Sequence, residues 1–485
     1  MLLTMGVSCQ SDGNLIQLFS QRSFMIKRLV ISLSALIFSV FLLMGGNTFV
    51  MTLLGVNLGL RGVEPTLIGS IMVCYSVGFV LGSLYGPRVI KRVGHIRAFA
   101  VFSAFLASST LIFPLTDSIW VWALLRAFAG IAVAGSFVVI ESWFSAVATN
   151  EYRATLFFTY QICTYLAATA GQLLIGLTDP AAFVPFTLGA IVLTAALVPL
   201  SLSRVEAPTI EHNERISVKA IIKDAPVGLL AALCSGVLIS SFYSMAPVYA
   251  IEVGLPVNQL SYFMAASVFT FILFAWPLGR LCDRLDRSKI MVWLNTMVVG
   301  SALGVVFMGH MNLWLLIGFS SLYMGMVAAI YPVAVAITND RIEAHHIVAA
   351  STTLLLSYGL GSTLGPLFSS SMMTWLGAQG LYYGCAGVAL LLGTYTWIWQ
   401  WRSTSVPVQE QAHYIQTPAE TAGIIVELDP RNEEFVDVPM EEVFPYLEAE
   451  EIAEAQASQM ELDLSEPEPE PRLESELEEP LLVPH

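Results

Sequence analysis

A chain of 485 residues that is 56% hydrophobic, only 12% charged and has a mean hydropathy of +0.70 lies far outside the range of soluble globular domains. That composition excludes a soluble enzyme or a nucleic-acid-binding module and makes a lipid bilayer the first partner. The formal charge of −15 divides unevenly, because 22 of the 37 acidic residues follow Arg402 and meet only Arg431 and Arg472 there, which leaves the membrane part mildly basic.

Residues 1–24 are polar and weakly patterned. They read as a disordered extension upstream of Met25-Ile-Lys27-Arg28, which looks like the start of a membrane protein. The apolar run that follows continues to about Leu54 without a small-residue cleavage site, so it is an uncleaved span rather than a signal peptide. Runs of about twenty apolar residues, enough to cross a bilayer as a helix, begin near Leu29, Leu67, Ala98, Ile119, Ala154, Ala182, Pro226, Leu260, Ile290, Leu313, Val348 and Leu381. Twelve spans are therefore expected, and they are helices, since each must satisfy its own backbone hydrogen bonds in lipid. The expected fold class is an all-α membrane protein.

The polar stretch 204–225 separates residues 25–203 from residues 226–402, which gives two six-helix bundles and a linker. Residues 403–485 form an acidic, largely disordered tail ending in Glu-Pro repeats. Between Val406 and Tyr446 the tail contains Ile424, Ile425, Val426 and Phe435, which leaves room for a short strand or a docking segment. Eighteen of the twenty Lys and Arg residues before the tail fall on one side of a twelve-span layout. Only Arg61 falls on the other side, and only Arg126 within a span. Basic residues stay cytoplasmic, so both termini are expected inside.

Two loops repeat. Gly82-Ser-Leu84-Tyr-Gly86-Pro87-Arg88 leads to Arg92 after the second span. Gly279-Arg-Leu281-Cys-Asp283-Arg284 leads to Arg287 after the eighth, 197 residues on. Small residues at Gly82, Gly86 and Gly279 let helices approach closely. The adjoining ions can pair with Glu141 and Asp340 at the same ends of spans four and ten: Arg88 or Arg92 with Glu141, and Arg284 with Asp340. Asp283 is also expected to favour a helix N-terminus. Such contacts would close a cytoplasmic gate, or the loops serve only as topology anchors. Arg126 is the sharpest single residue, because a guanidinium inside a span normally faces the bundle interior or a water-filled cavity. Proton-linked switching, binding of an anionic substrate and a buried structural pair all remain open for it. No carboxylate falls near the middle of any span, so a proton carrier has no obvious site. The six cysteines have neither framework nor metal spacing and read as small buried hydrophobes, with no metal or cofactor implied.

These loops resemble those of the major facilitator superfamily. The second copy fits through Gly279, Leu281, Asp283, Arg284 and Arg287, and the first, where Gly86 replaces the acid, fits less well. Arg126 with Gly130 matches the family's span-four signature. Glu141-Ser-Trp143, Gly171-Gln172, Asn339-Asp340-Arg341 and Leu428-Asp429-Pro430-Arg431 further resemble YcaD-like members. The resemblance implies two pseudo-symmetric six-helix bundles and a cavity lined by spans one, four, seven and ten, which makes Asn47, Arg126, Tyr243 and Tyr323 candidates, with Gln161 and Gln172 beside them. Gly361-x-x-x-Gly365-Pro366 resembles the antiporter signature but stands on span eleven, where helix packing and a proline kink explain it as well.

The leading expectation is a monomeric secondary transporter in a bacterial inner membrane. It would move a small organic solute by alternating access, with proton-coupled efflux, uniport and antiport all open. The alternative is a transporter-like receptor or scaffold signalling through the acidic tail. No paired acid and base, metal cluster or phosphate loop points to an enzyme.

Overall fold

The computed structural model describes residues 8–147, 153–202, 225–342, 347–402, 411 and 414. The linker up to residue 224 and all but two residues of the tail therefore lie outside the described residues. Among those described, every long element is a helix. These are α1 (Ser8–Leu60), α2 (Pro65–Val93), α3 (His95–Ile112), α4 (Ile119–Val147), α5 (Arg153–Ile175) and α6 (Val184–Ala195, continuing after a break at Ala196 as Leu197–Leu202). The second set is α7 (Pro226–Glu252), α8 (Val257–Arg284), α9 (Arg287–Met308), α10 (Leu313–Asn339), α11 (Ile347–Leu376) and α12 (Gly380–Arg402). Helix α1 starts at Ser8, within the stretch expected to be an extension. Ten of the helices are long and apolar enough to span a membrane on length and composition alone, with α5 and α11 outside that set. Gly and Ser/Thr-rich runs such as Ser351-Thr-Thr and Ser369-Ser-Ser lower the hydropathy of α11.

Local chemistry sets the helix ends. Asp286 caps α9 by accepting from the Ser288 amide at 2.9 Å, and Asn312 caps α10 by accepting from the Trp314 amide at 2.9 Å; such caps satisfy otherwise orphaned donors. Asp283, expected at a helix N-terminus, instead lies in the last turn of α8, and the capping acid is three residues later. The turns after α1 and α7 each pass through a glycine at positive φ, Gly62 at 67° and Gly254 at 79°. That region is strained for residues with a Cβ, and its recurrence marks equivalent corners of two repeats.

Packing repeats in the same way. In the first half α1 meets α5 and α6, α2 meets α4, and α3 meets α4 and α6. In the second, α7 meets α11 and α12, α8 meets α10, and α9 meets α10 and α12. The halves join through α2 with α11, α5 with α8, and α1 with α7, a set that maps onto itself when the halves are exchanged. The structure is thus two pseudo-symmetric six-helix bundles.

At the Arg61 end the halves fit tightly. A Cβ on Gly55 would lie 3.2 Å from Pro247, and one on Gly59 would lie 3.5 Å from Ile251. A Cβ on Gly69 would lie 2.6 Å from the Pro366 carbonyl, so Pro366 serves the α2–α11 seam. Thr66 and Thr374 share a hydrogen bond of 2.7 Å across the same seam. This end of the bundle is closed.

Candidate functional site

Close approach of α2 and α4 builds a buried polar cluster. A Cβ on Gly82 would lie 2.5 Å from the Ile131 carbonyl, and ones on Gly78 and Gly130 would overlap the carbonyls of Ala127 and Tyr75. Only small residues let two backbones come this near. One turn before Gly130, Arg126 is thereby held against α2, and its guanidinium carbon stands 4.3 Å from the centre of the Tyr75 ring. Cation–π attraction of this kind contributes about 0.5–2 kcal/mol, more as the pair is desolvated.

Tyr75 links Arg126 to a third helix. The Asn47 amide on α1 donates to the Tyr75 hydroxyl at 3.1 Å, and the hydroxyl lies 3.3 Å from Asn47 Oδ1. Asn47 and Arg126, proposed from sequence as separate candidates, are therefore brought together by a residue that sequence reasoning missed. The only signal for Tyr75 was a hydroxyl in an apolar run. Arg126 is 1% exposed, and its Nε and Nη2 find no hydrogen-bond partner among the described residues. Leaving a buried charged donor unmatched is costly, so the cluster is chemically incomplete as it stands. Gln172, on α5, is fully buried with both amide atoms likewise unpartnered. Its neighbour Gly171 packs on Thr48 of α1, beside Asn47.

The other candidates separate. Tyr323 and Tyr243 belong to a buried aromatic group in the second half. Tyr323 lies 5.7 Å from Tyr382 and 6.2 Å from Phe242, Tyr249 lies 5.1 Å from Tyr382, and Phe242 lies 6.2 Å from Tyr243. The Tyr323 hydroxyl donates to the Leu238 carbonyl at 3.4 Å. Gln161 donates to the Tyr165 hydroxyl at 2.7 Å, and Tyr165 meets Phe271 edge-on at 4.8 Å, which places Gln161 on the α5–α8 seam. Gly361 and Gly365 lie against the α7 backbone, and Ser241 donates to the Gly365 carbonyl at 3.0 Å. Close packing thus accounts for both glycines.

At the end opposite Arg61 the pairing differs from expectation. Arg287, not Arg284, reaches Asp340: Nη1 to Oδ1 is 2.5 Å, with the two side chains 2% and 4% exposed. The same nitrogen lies 3.3 Å from the Ala336 carbonyl. Arg284 is exposed. The reason is helical position: Arg287 opens α9, which packs on α10, whereas Arg284 ends α8 and points away. In the first half Arg88 and Arg92 are exposed, and Arg88 donates to its own Leu84 carbonyl and lies over Tyr85. Glu141 is fully buried beside Tyr160. At the α3–α4 junction His95 stacks on Trp143 at 5.7 Å, where the second half has its ion pair. A Cβ on Gly86 would meet Gly135 at 3.5 Å, whereas Gly279 faces Tyr414 of the tail.

The sequence profile of the Major Facilitator Superfamily matches residues 33–326 and 252–414. An uncharacterized MFS-type transporter of Enterobacter sp. (strain 638) is 30% identical over 332 residues, covering 67% of this chain and 84% of the relative. The uncharacterized MFS-type transporter YcaD of Shigella flexneri is 29% identical over 329 residues, covering 67% and 84%. Among solved structures, the nucleoside transporter NupG superimposes with a TM-score of 0.61 at 15% identity, covering 76% of this chain and 98% of that one. A bacterial homolog to the human lysosomal transporter Spinster, in an inward-facing and occupied conformation, gives 0.61 at 13% identity, covering 78% and 97%. At these identities the structures speak to the fold alone.

Proposed function

The chain belongs to the major facilitator superfamily, and on that premise we propose that it is a secondary transporter that carries a small organic anion across the bacterial inner membrane by alternating access. One observation carries the choice of solute. The Arg126 guanidinium is buried with two nitrogens unmatched, beside the Tyr75 ring and, through it, Asn47. A carboxylate or phosphate would supply the missing acceptors, and charge-assisted bonds of that kind are the strong ones.

The cycle follows from the two halves. With the Arg61 end closed, rocking about the α1–α7 axis would open that end. The bias of basic residues puts the Arg287 end in the cytoplasm. Glu141, fully buried in α4, is the group through which a proton would be exchanged for the solute, and the direction this supports is export.

The test is a panel of organic acids, phosphates and neutral analogues offered to purified protein, read as ligand-induced thermal stabilisation. That stabilisation grows with ligand concentration over Kd. Anions should stabilise the native chain and fail to stabilise Arg126→Gln. Stabilisation by neutral or cationic solutes alone, or an unchanged response in Arg126→Gln, would overturn the reading.

A further inference from the structure

The sequence left the region from Val406 to Tyr446 open as a docking segment, and one of its residues is seated on the helical core. Tyr414 lies twelve residues past the end of α12 and is packed against the core. A chain of that length reaches at most about 40 Å. Its backbone amide donates to Asp283 Oδ1 at 2.8 Å. Its ring lies over Gly279, where an added Cβ would stand 3.4 Å from Cδ1 and 3.6 Å from Cε1. Burial pushes the Tyr414 hydroxyl well above its usual value, with Cys282 and Tyr165 close enough to add to the effect.

Its contacts, Gly279 and Asp283, are on α8 of the second half, and α8 packs on α5 of the first, where Tyr165 meets Phe271 at 4.8 Å. The α5–α8 seam is one of the three joints between the bundles. Gly279 and Asp283 therefore do something other than join helices: the glycine makes a flat seat for an aromatic ring, and the acid accepts a main-chain hydrogen bond one turn away. An added Cβ at 279 would touch the ring at van der Waals distance, and a larger side chain would displace it.

We propose that the α5–α8 seam at the Arg287 end is a docking site for the chain's own tail at Tyr414, and that this contact holds the two halves together there and must release before that end opens. The acceptor is the acid of the repeated loop, so the tail and any other partner of Asp283 compete for one carboxylate. The first half has Gly86 at the matching position and offers no such side-chain acceptor.

The experiment uses the full chain in inner-membrane vesicles. A photo-crosslinking benzoylphenylalanine placed at Tyr414 should, on illumination, attach to peptides of α8 around Leu278–Asp283 or of α5 around Tyr165. The same group at Tyr446 serves as the reference, and an identical adduct pattern from both positions would overturn the proposal. In a chain retaining Cys282 as its one cysteine, Tyr414→Ala should speed maleimide labelling of Cys282 by about tenfold or more, as expected for losing a partly buried aromatic side chain. Tyr414→Phe, which keeps the ring, should label like the parent. Equal rates in parent and Tyr414→Ala would also overturn it. Neither readout involves a solute, so failure here leaves the transport reading standing, and failure of the solute panel leaves the docking site standing.

Discussion

Replacing Arg287 with Met tests a buried ion pair. Arg287 Nη1 lies 2.5 Å from Asp340 Oδ1, and neither side chain is more than 4% exposed. Screening by solvent is therefore weak, and removing one partner strands the other in a place water scarcely reaches. Breaking a buried pair in this way costs roughly 3–5 kcal/mol. A domain of 150–250 residues shifts by about 2–4 °C per kcal/mol, so the half containing α9 and α10 should melt roughly 10 °C lower. The double variant Arg287→Met with Asp340→Leu exchanges both ions for apolar groups of similar length. Such exchanges are often neutral or stabilising, so it should recover most of the loss. The assay is thermal unfolding of all three variants in detergent, read as a double-mutant cycle. If the single variant melts like the parent, or the double variant is no better than the sum of the singles, the pair does not hold the α9–α10 junction. Arg284→Met, at an exposed position, is the internal control and should change stability by less than about 0.5 kcal/mol.

Three further outcomes follow from the geometry. Thr66→Cys with Thr374→Cys places two thiols where the hydroxyls are 2.7 Å apart; oxidation should cross-link α2 to α11 and stop solute flux until a reductant restores it, and undiminished flux after complete cross-linking would refute opening at the Arg61 end. Gly130→Val puts a side chain onto the Tyr75 carbonyl, which cannot yield, so the monodisperse fraction should fall sharply on size exclusion, whereas Gly318→Ala, with open space around it, should elute normally. Tyr75→Phe keeps the ring beneath Arg126 and loses the Asn47 bond, about 1 kcal/mol, while Tyr75→Leu also removes the ring; anion-induced stabilisation should survive the first and be lost in the second.

The amino-acid order alone determined the solvent, the helix count and the twofold repeat. These depend on long-range composition and on period, which require no knowledge of which helix touches which. It also singled out Arg126, because a buried charge is conspicuous in any apolar run. The partners were decided elsewhere. Tyr75 joins Asn47 to Arg126 only because Gly78, Gly82 and Gly130 bring α2 and α4 into backbone contact. Arg287 rather than Arg284 meets Asp340 because three residues along the chain carry it from the end of one helix to the start of the next. Tyr323, a cavity candidate by resemblance, packs within an aromatic group that no local pattern announced. The seat of Tyr414 on Gly279 joins positions 135 residues apart. A membrane helix is specified locally by apolar length, whereas the direction in which each polar side chain points is fixed by the rotation and crossing of its neighbours, and that exists only once the bundle has closed.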